Sequence, residues 1–301
     1  MFKKALICME FGSDLPEVGT CLSGLLNLGV KECLVIQFLS YSEAVNASFS
    51  YTTDHLQKNV EKMRLALEKS GFAAEAKTLS GRSPREVYRL AQEQGCDLVI
   101  VEGRFHSLSG EMLAGGIAAS VIHNQTLPTL VLRVEVSEEQ GAPCARMKLC
   151  NFTGHALFPT DFSQNADIAF AELEKLVERG LSRVTLVHVM DKVRLEPHLK
   201  DRIDEFKALD QQRLKNLEER LRKKGVSTVD IQIRYGNPTV EILNAVRETD
   251  PSLIVMGSQG RGFVTELFLG SISHNLVRRS KTPILLIPLP RHEGNVPTAK
   301  K

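Results

Sequence analysis

The run Pro251-Ser-Leu-Ile-Val-Met-Gly257 contains four consecutive apolar residues closed by a glycine, and Asp97-Leu-Val-Ile-Val-Glu-Gly103 repeats the pattern 154 residues earlier. A short unbroken aliphatic run of this kind is typical of a parallel strand that is buried on both faces of a sheet. Because the same run and its terminal glycine occur twice, we searched the whole chain for a repeated unit.

The repeat extends over the full length of the chain. Lys4-Ala-Leu-Ile-Cys-Met-Glu10-Phe11 aligns with His155-Ala-Leu-Phe-Pro-Thr-Asp161-Phe162 at a separation of 151 residues, and Leu127-Pro-Thr-Leu-Val-Leu132 aligns with Thr282-Pro-Ile-Leu-Leu-Ile287 at 155. Separations that drift by a few residues are what loop insertions produce in a duplicated unit. The sequence therefore predicts two tandem copies.

Each copy alternates short aliphatic runs with amphipathic helical patterns. Such alternation predicts a doubly wound, parallel-sheet α/β fold of the Rossmann-like type in both copies. We expect a first domain over 1–134, a linker over 135–148, a second domain over 149–290 and a tail over 291–301. The predicted strands are 3–9, 33–38, 74–79, 97–101 and 129–134 in the first copy and 153–158, 183–189, 228–234, 252–256 and 283–288 in the second.

Composition excludes several classes of protein. Of the 301 residues 43% are hydrophobic, and 38 basic against 36 acidic residues give a net charge of +2. These values argue against a disordered chain and against non-specific attraction to nucleic acid. No apolar run approaches the ~20 residues that a membrane span needs, and no signal peptide is visible. The six cysteines are scattered without metal-ligand spacing, so we expect a reduced cytoplasmic protein.

A glycine-rich segment of the second copy is the strongest functional signal. Gly257 directly follows a predicted buried strand, Gly260 lies three residues on, and Gly270-Ser271 opens another helix. Glycine after the strand would permit a positive φ and a close approach of a ligand to the backbone. The helix beginning at Ser271 would offer unpaired amides and the positive end of its dipole to an anion such as a polyphosphate. Turn and packing glycines of an ordinary α/β protein are the alternative.

A second signal is Asp161 in Pro159-Thr160-Asp161-Phe162-Ser163, at the predicted carboxyl end of the first strand of this copy. An acid at this edge can accept hydrogen bonds from ribose hydroxyls. Asp161 or Ser163 could equally cap the helix that begins near Asn165. The next strand ends at His188-Val189-Met190-Asp191, which could supply backbone groups and an apolar wall for a base.

Signals for catalysis are weak. No Walker A motif and no G-x-S-x-G nucleophile elbow occurs in the sequence, and these motifs would supply a phosphate-binding lysine or an activated serine. His188, inside a predicted strand, is expected to be a hydrogen-bonded or pocket-lining residue. His274 is the histidine that we would test for proton transfer. Arg261 could reach a terminal phosphate, but an exposed loop arginine is the favoured alternative. At most, slow hydrolysis of a bound polyphosphate is expected.

The pattern Gly257-x-x-Gly260-x9-Gly270-Ser271, with Pro159-Thr160-Asp161 upstream, resembles the ATP-binding branch of the universal stress protein (UspA-like) family. The resemblance covers both copies and implies a tandem protein with an adenine nucleotide α-hydrolase-like fold. It implies that ATP or AMP binds in the second copy, with Mg²⁺ as a companion of the phosphates. The residues that match the family's binding positions are Pro159, Thr160, Asp161, Val189, Met256, Gly257, Gly260, Gly270, Ser271, Ile272 and Ser273.

The first copy departs from this pattern. It keeps Gly103, but Phe105 or His106 stands where the second copy has Gly260, and Gly115-Gly116 replaces Gly270-Ser271. The positions of Thr160, Asp161 and Val189 are taken by Met9, Glu10 and Phe38. Bulkier side chains at these places would crowd a base and push the loop away from phosphates. We therefore expect weak or no nucleotide binding in the first copy, with Gly103, Gly110, Gly115 and Gly116 acting in turns and packing.

Three functions remain open at this level. They are a nucleotide-sensing regulator of the stress response, which we favour, a slow ATPase that uses the same site, and a ligand-free scaffold for an unidentified protein partner. The resemblance also implies pairing through the last strand of each copy, 129–134 and 283–288. The two copies could pair with each other inside one chain and so protect both sheet edges, and a homodimer remains an alternative.

Overall fold

The computed structural model describes residues 1–8, 22–39, 49–80, 86–105, 117–139, 142–147, 151–193, 195, 202–260 and 269–290. Its strands follow the predicted runs closely, because short aliphatic segments between turn residues pair best as buried parallel strands. The strands of the first copy are β1 Lys4–Cys8, β2 Glu32–Leu39, β3 Ala73–Ser80, β4 Leu98–Phe105 and β5 Thr129–Glu139. After β6 Ala142–Met147, the second copy contributes β7 His155–Pro159, β8 Arg183–Asp191, β9 Thr228–Gly236, β10 Leu253–Gly257 and β11 Ile284–Ile287.

The two copies share one sheet. Its strand order is β3-β2-β1-β4-β5-β11-β10-β7-β8-β9, with β6 paired to β5. Strands within each copy are parallel, whereas β5 and β11 are antiparallel, with Val131 opposite Ile284. The side-chain amide of Gln125 also donates to the Leu286 carbonyl across this junction, at 2.8 Å. The edge strands that the sequence predicted as pairing surfaces therefore pair within the chain.

Helices cover both faces of the sheet. The helices are α1 Phe49–Lys69, α2 Val87–Glu93, α3 Ile117–His123, α4 Gln164–Val177, α5 Ile203–Lys223, α6 Pro238–Thr249 and α7 Ser271–Arg279, with a 3-10 helix at Ser23–Leu28. The buried residues of α1, α4 and α5 belong to one core layer and those of α2, α3, α6 and α7 to the other. Each layer runs through both copies. No helix in the described ranges is long and apolar enough to cross a membrane.

Local sequence signals explain the helix boundaries of the second copy. Asn237 accepts a hydrogen bond from the amide of Val240 at 3.2 Å and Pro238 is the first helical residue, so α6 begins at a regular N-cap. In α5 the leucines at a spacing of seven, Leu214 and Leu221, are fully buried against the sheet. Both leucines therefore pack into the core of their own chain.

The segment expected to be a linker, 135–148, carries regular structure. Strand β5 continues to Glu139, and β6 pairs antiparallel with it, with Val134 opposite Met147. Strand β4 also continues past Gly103, which pairs with Arg133 inside the ladder. Alternation of apolar and polar residues in Leu132-Arg-Val-Glu-Val136 was the signal for this extension, because a period of two is typical of a strand.

Candidate functional site

The site is a cleft of about 590 Å³ at the carboxyl ends of β7, β8 and β10. The chain passes from β7 to β8 and β9 on one side and then crosses to β10 and β11 on the other. The strand order therefore reverses between β7 and β10, and open α/β sheets bind ligands at such a switch point. A volume of this size suits a small-molecule ligand.

All the site residues predicted from the sequence line this one cleft. They come from the β7 end, the β8 end, the β10 loop and the start of α7, although they span more than a hundred residues of chain. They are Pro159, Thr160, Asp161, Val189, Met256, Gly257, Gly260, Gly270, Ser271, Ile272 and Ser273. The structure thus brings the predicted set together, while its role in binding stays a prediction.

The loop after β7 is held by short-range hydrogen bonds. The Thr160 hydroxyl accepts from the amide of Phe162 at 3.0 Å, and the Asp161 carboxylate accepts from the amide of Ser163 at 3.0 Å. Ser163 is the N-cap of α4, since its hydroxyl accepts from the amide of Ala166 at 3.3 Å. Of the two caps that the sequence left open, the structure uses Ser163, and Asp161 instead fixes the turn and lines the cleft.

The last residues of β8 have no neighbouring strand on the side that faces the cleft. The ladder between β7 and β8 stops at Pro159 opposite Val187, whereas the ladder between β8 and β9 continues to Asp191 opposite Gly236. The Val187 carbonyl accepts from the amide of Thr160 at 2.9 Å. Backbone groups two residues apart point to the same edge of a strand. The amide and carbonyl of Val189 therefore point to the edge where β7 has ended.

A glycine is required at position 257 because a neighbouring side chain leaves no room for a Cβ, and not because of the backbone angles. Its φ is not positive, contrary to expectation. A Cβ at this position would lie 2.6 Å from Oδ1 of Asn165. Asn165 is 2% exposed, and its amide group accepts from the backbone of Gln259 at 2.8 Å and donates to the Ile287 carbonyl at 3.0 Å. Asn165 therefore ties the glycine loop to α4 and β11, a role that sequence patterns did not reveal.

Gly260 and Gly270 keep the floor of the loop open. A Cβ on Gly260 would lie 2.9 Å from Oδ2 of Asp161, and one on Gly270 would lie 3.2 Å from the carbonyl oxygen of Ser258. The amide of Gly270 donates to that same carbonyl at 2.8 Å, which closes the loop. Residues 261–268 lie outside the described part of the chain, and Arg261 is among them.

The first turn of α7 faces the cleft with its amides. The first intrahelical bond is donated by His274 to the carbonyl of Gly270 at 2.8 Å. The amides of Ser271, Ile272 and Ser273 precede it and have no acceptor within the helix. The Ser273 hydroxyl donates to the Gly257 carbonyl at 3.1 Å. Gly270 is the N-cap and provides no side-chain cap, so this end of the helix is suited to an anion.

Helix α5 forms a wall of the cleft that the sequence did not predict. Phe206, Leu209, Asp210 and Arg213 all line it. Asp210 lies 3.2 Å from Nε2 of His188, which lines the floor as expected. The sequence pattern of α5 does not indicate that Asp210 and Arg213 line the cleft.

His274 does not line the cleft. Its ring lies against that of His123 from the first copy, with centroids 5.5 Å apart. Burial, followed by the nearby His123 and Arg278, lowers the pKa of His274 below its usual range. The residue that the sequence offered for proton transfer belongs to the junction between the copies.

Comparison with known proteins agrees with this architecture. The family model described as the universal stress protein family matches residues 30–133 and 153–288. The chain belongs to the universal stress protein family.

Relatives within the universal stress protein family resemble either one copy or both. A universal stress protein of Methanocaldococcus jannaschii is 27% identical in an alignment of 150 positions that covers 44% of this chain and 92% of the relative. One of Mycolicibacterium smegmatis is 24% identical over 198 residues, covering 64% of this chain and 62% of the relative. A solved universal stress protein of Archaeoglobus fulgidus superposes with a TM-score of 0.70 at 20% identity and covers 94% of this chain and 98% of its own. At this identity, the last similarity supports the fold alone.

The first of the two universal stress protein copies is built differently at the same edge. Gly103 lies within a strand that continues to Phe105, whereas β10 ends at Gly257. No loop therefore leaves the sheet at Gly103, and this glycine is part of a ladder rather than of a turn. Met9, Glu10, His106, Gly110, Gly115 and Gly116 lie outside the described residues. Phe38 is in β2, as expected from the sequence.

Proposed function

We propose that the second copy binds an adenine nucleotide, ATP or AMP, and that the protein acts as a nucleotide-responsive regulator in the stress response. The observation that carries the proposal is the arrangement of Gly257, Gly260 and Gly270 around the first turn of α7. This arrangement leaves amides and space where a phosphate chain would lie. Added side chains at the last two positions would meet Asp161 or the loop backbone.

The remaining surfaces of the cleft suit the nucleoside. Val189 offers its backbone amide and carbonyl at the free edge of β8, which is the type of contact that can read the edge of a purine. Met256 and Ile272 supply apolar surface beside it. Asp161, at the end of β7, is placed where a carboxylate can accept from ribose hydroxyls. Mg²⁺ enters the proposal only as a companion of the phosphates, and we assign it no protein ligands.

The position of the glycine loop supports a regulatory role. Residues 257–260 contact α4 through Asn165 and β11 through the bond from the Ser258 amide to the Ile287 carbonyl, at 2.9 Å. Strand β11 is also the strand that pairs with the first copy. A nucleotide bound at the loop would therefore act on α4 and β11, next to the junction between the copies. A shift of these elements would change the surface of both copies.

Calorimetric titration of the full chain with ATP and AMP tests the proposal. We expect one site per chain, loss of more than tenfold in affinity for Gly260→Ala, and little change for Gly154→Ala. The added Cβ of Gly154→Ala meets the side chains of Asn151 and Ser252 at 3.2 Å or more. Two sites per chain would show that the first copy also binds. Absence of saturable binding at millimolar nucleotide would refute the proposed function.

Hydrolysis is tested in the same preparation. Mass spectrometry of the small molecule released on denaturation identifies the bound nucleotide, and phosphate release under single-turnover conditions measures any ATPase activity. Because His274 lies at the junction between the copies and not in the cleft, we expect the His274→Gln variant to retain the phosphate-release rate of the unmodified chain.

A further inference from the structure

His188 joins two elements that form the proposed nucleotide cleft. Its side chain is 8% exposed, Nδ1 lies 2.8 Å from the carbonyl oxygen of Thr160, and Nε2 lies 3.2 Å from Oδ2 of Asp210. Thr160 belongs to the loop after β7, and Asp210 belongs to the α5 wall. The Asp210 side chain is 14% exposed, so this contact is shielded from solvent.

Both contacts of His188 are hydrogen bonds only if Nδ1 carries one proton and a second proton lies between Nε2 and the Asp210 carboxylate. A carbonyl oxygen only accepts hydrogen bonds, so Nδ1 must carry a proton and donate it to Thr160. An ionised carboxylate also only accepts, so a proton must lie between Nε2 and Oδ2 for the second contact to be a hydrogen bond. A side chain without a polar group at position 210 would remove this hydrogen bond between His188 and α5.

The same histidine supports a strained residue. Phe162 has a φ of 56°, which is rare for a bulky side chain. The centroid of its ring lies 4.7 Å from that of the His188 ring and 5.2 Å from the guanidinium carbon of Arg213. Neighbouring side chains must hold Phe162 in this conformation. Here they are His188 and Arg213, and both of them also contact Asp210.

The first copy lacks both members of this pair. The separation of 151 residues that relates β2 to β8 places Gln37 at the position of His188. Helices α1 and α5 are both 21 residues long and lie 154 residues apart, which places Leu56 at the position of Asp210. Gln37 is 4% exposed, and its carbonyl oxygen has no hydrogen-bond partner in the described structure. The pair therefore belongs to the second copy, which carries the proposed cleft.

We propose that Asp210 is a positioning residue that acts through His188. It holds the Thr160–Phe162 side of the cleft against α5, and nucleotide affinity depends on this contact. This inference rests on the proposed function for its ligand. The other charged groups around the pair are Arg213, which lies 3.4 Å from Oδ1 of Asp210, and the carboxylates of Asp161 and Asp191, which line the same cleft.

Rescue by a conservative variant separates positioning from charge. The asparagine amide of Asp210→Asn can donate to the lone pair of Nε2, so this variant keeps a hydrogen bond between α5 and His188, whereas Asp210→Ala removes it. We measure ATP affinity by calorimetry on the full chain. We expect Asp210→Ala to lose roughly tenfold in affinity and Asp210→Asn to stay within about threefold of the unmodified chain.

The matched control is Asp204→Ala, which removes an acidic side chain from an exposed position in the first turn of α5. Its ATP affinity should equal that of the unmodified chain. The replacement His188→Gln copies the first copy and should weaken ATP binding as Asp210→Ala does, and combining the two should cost little more than either alone. Unchanged affinity in Asp210→Ala, or equal losses in Asp210→Ala and Asp210→Asn, would overturn the inference.

Nuclear magnetic resonance of ¹⁵N-labelled histidine gives a readout that needs no nucleotide. We expect the Nε2 resonance of His188 to shift in Asp210→Ala and to stay unchanged in Asp204→Ala. An unchanged Nε2 resonance in Asp210→Ala would overturn the pairing with Asp210. If the resonance shifts as expected but ATP does not bind, the proposed function fails while the pairing stands, so the two failures are distinguishable.

Discussion

Substitution of Gly257 by alanine is the most direct test of how the glycine loop is built. The new Cβ would lie 2.6 Å from Oδ1, 2.8 Å from Cγ and 3.2 Å from the backbone carbonyl carbon of Asn165. The side-chain amide has to retreat by about 0.8 Å to reach ordinary van der Waals contact. Retreat stretches its bonds to the Gln259 amide and the Ile287 carbonyl, which are 2.8 and 3.0 Å long.

The magnitude follows from these two bonds and the crowding. A buried hydrogen bond contributes about 1 kcal/mol, and a partner left unsatisfied costs more. Overpacking by one methyl group adds about 1 kcal/mol or more. We therefore expect Gly257→Ala to lower the free energy of unfolding by about 3 kcal/mol. Urea denaturation followed by circular dichroism measures the loss, and hydrogen exchange of the Gln259 amide should become faster because its acceptor has moved.

A double-mutant cycle isolates the cause. Asn165→Ala alone is expected to destabilise the chain by about 2 kcal/mol, because the Gln259 amide loses this acceptor and the Ile287 carbonyl keeps only the bond from the Ser258 amide. In that background the methyl group of Gly257→Ala has room, so its additional cost should fall below about 1 kcal/mol. Gly154→Ala serves as the control for adding a methyl group near side chains that can move. An unchanged cost in the Asn165→Ala background would refute the reasoning, because the clash with Asn165 would then not be the cause.

Two further predictions concern the loop and the junction between the copies. Gly270→Ala places a Cβ 3.2 Å from the Ser258 carbonyl and 3.3 Å from the Gln259 Cα. We expect it to weaken ATP binding at least tenfold in calorimetry, with a smaller loss of stability than Gly257→Ala, and equal ATP affinity would contradict the proposed position of the phosphates. His274 has a pKa below its unfolded value, so the unfolded chain takes up its proton first as pH falls from neutrality. Stability should therefore fall on acidification through pH 6.5 until the folded pKa is passed, and His274→Gln should show a smaller fall in thermal midpoint between pH 7.5 and pH 5.

Much of the fold could be predicted because it is encoded locally. Strands β10 and β11 are aliphatic runs next to turn residues, β9 alternates apolar and polar residues, and β10 ends at the glycine that marks its carboxyl end. The predicted site residues could be collected for the same reason, since strand ends and helix starts carry glycine, proline and capping residues. Strand β6, Ala142–Met147, could not be predicted because Ala-Pro-Cys-Ala-Arg-Met contains a proline and no alternation of apolar and polar residues.

The sequence by itself determined the two copies, the positions of nearly all their strands and the glycines at the end of β10, because these depend on periodicity and turn chemistry over a few residues. Only the tertiary structure decided that Asn165 would meet Gly257, that Asp210 would reach His188, and that His274 would face His123. Each of these contacts joins residues that are far apart in the chain. They depend on how a crossover helix lies over the sheet and on the antiparallel pairing of β5 with β11, and neither leaves a pattern in a short window of sequence.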